Sequence, residues 1–221
     1  MKPLHYFCLS LCCLIIFTSC SKKHIRPPDY RETLMSKEEV IEKMGGDVES
    51  LKVIAQIDLE KAKATFDVKG SVILKQPEML ILKLYKLGFP IFALSIHDGM
   101  VQTNSTEEGE VFRDLSLLLY QCLMWWDGLE DSQMYASMGN YHFINLQREL
   151  VVDGRRLFPV RQKLFYKDDK IDVFYEAPIF VDDFWYPSVI NVKIGPNSFT
   201  LEITKVQVNP PLDENVFIIP S

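Results

Sequence analysis

The run from Ala62 to Leu74 alternates almost throughout: Ala62, Ala64, Phe66, Val68, Gly70, Val72 and Leu74 stand against Lys63, Thr65, Asp67, Lys69, Ser71 and Lys75. A period of two held over so long a stretch fits a strand that buries one face and wets the other. The segment before it has the same period, with Leu51, Val53, Ala55, Ile57 and Leu59 apolar and Lys52, Gln56 and Asp58 polar. Gly70, in the middle of the apolar face, is expected to mark a bulge or a bend.

Further strands are predicted at Leu80 to Lys86, Ile91 to His97 and Met100 to Asn104, the last two joined by an Asp98-Gly99 hairpin signal. Loops this short cannot hold crossovers, so the sheet is antiparallel. Strands return around His142 to Val152, Leu157 to Tyr166, Lys170 to Tyr175, Val189 to Ile194 and Phe199 to Val208, and a last apolar run covers Val216 to Ile219. Helices are fewer. Ser36 and Glu39 make a capping box ahead of Val40, Ile41 and Met44, with Gly45-Gly46 as the stop. Leu115 to Trp126 is the one long helical candidate, with Gly128 as its stop, and it is apolar on so many sides that it needs cover all round. The expectation is a mainly β chain of about ten antiparallel strands with few helices; a sheet of that size curls, giving an incomplete or closed barrel with a helical plug.

The N-terminus carries an address. From Leu4 to Phe17 the chain is apolar, too short to span a hydrocarbon core of about 30 Å as a helix, and Lys2 precedes it. Residues 1–19 read as a signal peptide. Phe17, Thr18, Ser19 and Cys20 at its end resemble the bacterial lipoprotein signal, which implies that Cys20 is acylated and becomes the new N-terminus. Several acyl chains on one residue hold a protein on a membrane stably, where one holds it only reversibly. In the same family of signals Ser21, rather than Asp, after the cysteine implies the outer membrane, facing the periplasm. Residues 20–35, with Lys22, Lys23, Arg26, Pro27 and Pro28 and no hydrophobic period, read as a lipidated tether, leaving 36–221 as one domain.

The signal segment holds one of 24 basic residues and none of 30 acidic ones, so its removal takes the net charge from −6 to −7. That balance argues against nucleic acid as a partner. Four of five cysteines lie at or before Cys20, so Cys122 stands alone beyond it, in an apolar stretch where it reads as a small hydrophobe. His97 beside Asp98 falls at a hairpin turn, and the acidic groups at Asp168-Asp169 and at Glu176, Asp182 and Asp183 read as solvated turns rather than cation sites. Phosphate-binding glycine loops, Gly-x-Ser-x-Gly and His-Glu-x-x-His are absent from the sequence. No cofactor, metal or enzymatic activity is expected.

Taken together, the paired strands from Leu51 to Lys75, the Leu-Ile-Leu-Lys-Leu-Tyr-Lys-Leu-Gly segment from Leu80 to Gly88, the Asp98-Gly99 hairpin, the helix ending Trp125-Trp126-Asp127-Gly128-Leu129 and the Pro211-Leu212-Asp213 terminus resemble the LolA/LolB lipoprotein-carrier family. The resemblance implies an unclosed antiparallel barrel whose apolar hollow, covered by helices, accepts acyl chains. With a lipid-attachment cysteine it leans toward the membrane-anchored receptor, which takes lipoproteins from a periplasmic carrier and places them in the outer membrane. The exposed leucine of that receptor corresponds to Leu87, in a loop with Gly88, Phe89 and Pro90. An apolar turn beside a membrane either inserts into lipid or tucks under the sheet. Candidates to line the hollow are Phe66, Val68, Val72, Leu82, Leu84, Phe92, Leu94 and Ile96, each also readable as plain core, with Trp125 and Trp126 as a lid or as core. Two other functions stay open: a structural or assembly lipoprotein of the same fold working through a sheet edge, and an envelope hydrolase.

Overall fold

The computed structural model describes residues 28–30, 34–61, 64–104, 109–166 and 169–219. Cys20, Ser21 and the signal segment lie outside the described residues. The elements are α1 (Lys37–Ile41), β1 (Ser50–Lys61), β2 (Ala64–Lys75), β3 (Met79–Lys86), β4 (Phe89–His97), β5 (Met100–Thr103), α2 (Gly109–Leu123), β6 (Gln133–Ser137), β7 (Asn140–Ile144), β8 (Arg148–Asp153), β9 (Phe158–Tyr166), β10 (Asp169–Val181), β11 (Phe184–Ile194), β12 (Asn197–Val208) and a 3-10 turn (Glu214–Phe217).

All twelve strands form one antiparallel sheet, ordered β5-β4-β3-β2-β1-β12-β11-β10-β9-β8-β7-β6. Two meanders are therefore fused where β12 returns beside β1, in register from Leu51 opposite Val208 to Glu60 opposite Ser198. Edge strands β5 and β6 are not paired with each other among the described residues, so the barrel is unclosed, and α2 is the connection between them. Strand twist curls a sheet this wide, and register shifts at Ile54/Ala55, Leu84/Tyr85 and Val151/Val152 add local bends.

The concave face is the core. Leu51, Val53, Ala55 and Ile57 of β1 pair with Leu74, Val72, Gly70 and Val68 of β2, as the alternation predicts. Gly70 does not bend the strand: the register runs unbroken through it on both sides. A Cβ there would lie 2.6 Å from Ile57 Cδ1, so glycine is needed to make room for the isoleucine across the ladder. α1 starts with the capping box in place, Glu39 N–H donating to Ser36 Oγ at 3.2 Å and Ser36 N–H to Glu39 Oε2 at 2.8 Å. It buries Val40, and the π-helical turn Glu42–Gly46 that continues it buries Met44 before the chain turns out at Gly45, φ 137°. Residues that read as tether touch the domain before it begins, since Tyr30 N–H donates to Arg155 O at 2.9 Å and Met35 N–H to Tyr141 Oη at 3.3 Å.

The convex face is covered in one place. Ile73 and Ile81 point outward yet are buried, because the 3-10 turn lays Phe217 over them and Ser95 Oγ donates to Phe217 O. The apolar run Val216 to Ile219 is thus a strap over β2, β3 and β4. No helix among the described residues is long and apolar enough to cross a membrane.

Twelve strands rather than about ten have definite causes. β6 was not legible because most of its residues are exposed and nothing alternates. The stretch His142 to Val152 is two strands, turned at Asn145 to Gln147. β10 and β11 run past their predicted ends through Pro178 and Pro187, which face each other across the ladder, while Ser188 Oγ donates to Ala177 O at 2.8 Å.

Candidate functional site

Whether the curled sheet is filled or hollow decides what it can do. Under β10 and β11 it is filled. α2 ends at Leu123, earlier than predicted, and Met124 to Gly128 form a turn that drives both tryptophans into the concave face. Trp125 and Trp126 meet edge to face at 4.6 Å, Trp125 leans on Tyr186 at 5.0 Å and Trp126 on Phe184 at 5.6 Å between ring centroids. They form an aromatic plug within the core. Gly45 makes room for the plug, since a Cβ there would fall 2.9 Å from Trp126 Cδ2. Burial pushes the Tyr186 and Cys122 side chains far above their ordinary pKa values, so neither is a source of chemistry near neutral pH.

Toward the other end of α2 the fill is incomplete. A cleft of about 540 Å³ separates Leu115, Leu117 and Leu118 of α2 from Leu164, Ile171 and Ile194 of β9, β10 and β11. That volume is in the range of pockets that hold small ligands. Phe165 and Asp169 stand at its rim, and Tyr166 Oη donates to Asp114 Oδ1 across it. These wall residues were not picked out from the sequence. They come from four elements, and the only trace they leave is an apolar residue near the end of each strand.

The residues expected to line the hollow share the concave face but not this cleft. Val72, Leu82 and Leu94 stand side by side in the ladders, as do Leu84 and Phe92, with Ile96 opposite Leu80. Val68, Val72, Leu82 and Leu94 are buried core, and Leu84, Phe92 and Ile96 are half-buried. The side chain of Phe66 falls outside the described residues.

The Leu87 segment is narrower than a four-residue loop. Leu87 and Gly88 alone form the turn, at φ 53° and 84°, while Phe89 and Pro90 already pair with Lys86 and Tyr85. Leu87 is 93% exposed and Phe89 73%. Leucine in the left-handed region costs about 1–2 kcal/mol, and Asn or Asp is the ordinary choice at that position. Alternation of the antiparallel strands puts the β3–β4, β7–β8, β9–β10 and β11–β12 turns at one rim of the sheet. Leu146, 97% exposed, tips the β7–β8 turn, which is held by Gln147 N–H to Asn145 Oδ1 at 2.9 Å and Phe165 N–H to Gln147 O at 2.8 Å. The cleft opens at this rim, because Tyr166, Asp169 and Ile194 end their strands there.

The described residues contain no group of three or more His, Cys, Asp or Glu side chains placed to hold a metal ion. His97 Nδ1 lies 3.6 Å from Asp98 Oδ2 at the hairpin and stacks on Phe217 at 6.4 Å, which ties it to the convex strap.

No protein-family model matches the chain, and no curated protein matches it in sequence. Solved structures do. A LolA superfamily protein from Nitrosomonas europaea superposes with a TM-score of 0.55 at 10% identity, over 84% of this chain and 99% of that one. A domain described as an outer membrane lipoprotein-sorting protein from Vibrio parahaemolyticus gives 0.47 at 9% identity, over 81% of this chain and 95% of that one. A DUF1329 family protein from Desulfovibrio piger gives 0.47 at 10% identity, over 81% and 94%. An unclosed antiparallel sheet curled around a connecting helix, matched end to end by the first of these, is the fold of the LolA superfamily, and this chain has that fold.

Proposed function

We propose that the protein is an outer-membrane-anchored, acyl-chain-binding lipoprotein that receives lipoproteins from a periplasmic carrier and helps insert them into the bilayer. The observation that carries this reading is the placement of an apolar cleft at the same rim as two turns that expose leucine. A chain leaving the cleft there would meet lipid without crossing water. Each methylene moved from water into the cleft is worth about 0.8 kcal/mol, and the same amount is regained in the bilayer, so transfer needs no covalent chemistry. Cys20 would anchor the domain, with the residues up to Tyr30 as its leash. The LolA superfamily fold agrees with this role.

A structural or assembly role has one observation in its favour. β6 is an edge strand, and Tyr135 on it and Met138 beyond it are exposed, as a partner adding a strand would require. A fluorescent fatty acid separates the two readings. Saturable binding is expected, and Leu115→Trp, which places bulk at the cleft mouth from a part-exposed position, is expected to weaken it about tenfold with the unfolding midpoint nearly unchanged. Absence of saturable binding to the wild-type protein would favour the assembly role.

A further inference from the structure

Beside the apolar cleft lies a smaller pocket of about 180 Å³, and the two share Leu117, Gln121 and Gln147. Their walls differ in kind. Where the cleft is lined by leucine and isoleucine, the pocket is lined by Glu78, Asp127, Asn145 and Arg148. Arg148 is only 6% exposed, and its hydrogen-bond partners are carbonyl oxygens: Nη1 donates to Trp125 O at 3.3 Å and Nη2 to Asp127 O at 2.8 Å. The Asp127 carboxylate is engaged elsewhere, accepting from Tyr120 Oη at 2.7 Å and Gln76 Nε2 at 3.2 Å. The side chains of Gln121, half-buried, and Gln147, exposed, stand at the junction of the two spaces.

We propose that this pocket receives the uncharged, ester- or amide-bearing head of a molecule whose acyl chain lies in the adjoining cleft. The inference rests on the acyl-chain reading and adds to it a choice of head. Two amides and a guanidinium offer N–H donors to carbonyl oxygens, and the amides accept as well. A bare hydrocarbon end would leave those walls unpaired. A phosphate would meet Glu78 and Asp127 against the single guanidinium of Arg148, more negative charge than positive. Ester and amide heads suit both the N–H donors of this wall and its charge.

Two lipids with the same single chain provide the test: 1-palmitoylglycerol and 1-palmitoyl-lysophosphatidate, each used to displace a fluorescent fatty acid from the full-length protein. The glycerol ester is expected to compete at about tenfold lower concentration. In Gln121→Leu/Gln147→Leu, with each competing concentration referred to that variant's own affinity for the probe, the difference is expected to shrink to within about threefold. Equal competition by the two lipids, stronger competition by the phosphate, or a preference that survives the double substitution overturns the head pocket and leaves the acyl cleft standing. Failure of both lipids to compete overturns the acyl cleft and the head pocket together.

Discussion

Trp126→Ala is expected to destabilise the protein by about 3–5 kcal/mol, the ordinary cost of truncating a fully buried tryptophan. Its ring stands edge to face against Trp125 and Phe184, at 4.6 and 5.6 Å, and over the bare Cα of Gly45. Phe184 and the nearby Tyr186 are held in the β10–β11 ladder opposite Val181 and Ile179, which limits how far they collapse into the space. Urea unfolding of the wild type and variant measures the difference. A second substitution shows whether the packing argument is right. Gly45→Ala destabilises the wild type both through its φ of 137° and through the 2.9 Å approach to Trp126, but in the Trp126→Ala background only the backbone part remains. The two costs should therefore fail to add, with a coupling of about 1 kcal/mol. Additive costs would mean that the glycine is there for the turn alone.

The second large effect is functional. Leu87→Asn is expected to weaken insertion into lipid about tenfold or more while leaving the protein at least as stable. Leu87 is 93% exposed, so no packing is lost, and asparagine adopts a φ of 53° more readily than leucine does. The change turns Leu87-Gly88 into the Asn-Gly pair that two-residue hairpins favour, and a gain of up to about 1 kcal/mol in stability is expected. Burial of one leucine in lipid contributes about 1.5–3 kcal/mol, so vesicle partitioning should fall by about tenfold or more. Leu87→Glu should fall further, without the gain in stability. Flotation of the Cys20→Ala protein, which lacks the acyl anchor, with vesicles, set beside its thermal unfolding midpoint, reads both quantities. Unchanged flotation in Leu87→Asn would make the exposed leucine a bystander.

Leu87 was legible in the sequence because turns are normally polar and this one is not. β1 and β2 were legible for a related reason: one face is core and most of the other is solvent, so the period of two is nearly regular from Leu51 to Leu74, with Ile54 and Ile73 as exceptions. The halves of β10 and β11 beyond Tyr175 and before Val189 were hidden by Pro178 and Pro187, which read as breakers when the opposite strand is unknown. The end of α2 was hidden in another way. Gly128 looks like a helix stop, but the chain leaves the helix after Leu123, and the carbonyls of Trp125 and Asp127 are taken up by Arg148 from β8. A partner that distant in sequence cannot be read from local composition. The cleft was missed for the same cause. Leu118, Leu164, Ile171 and Ile194 each look like core, and only the degree of curl leaves space between them. Residues from β2 to β4 had the stronger alternation and were favoured; of these Val68, Val72, Leu82 and Leu94 are buried, while Leu84, Phe92 and Ile96 are half-buried.

The central claim is that acyl chains lie between α2 and the rim of β9 to β11. A 16-carbon fatty acid carrying a photoreactive group at its methyl end, crosslinked to the full-length protein and mapped by peptide mass spectrometry, tests it directly. Adducts competed away by unlabelled palmitate are expected within α2 and on the segments holding Leu164, Ile171 and Ile194. Adducts confined to the exposed turns at Leu87, Met138 and Leu146, or labelling that palmitate does not compete, would contradict it.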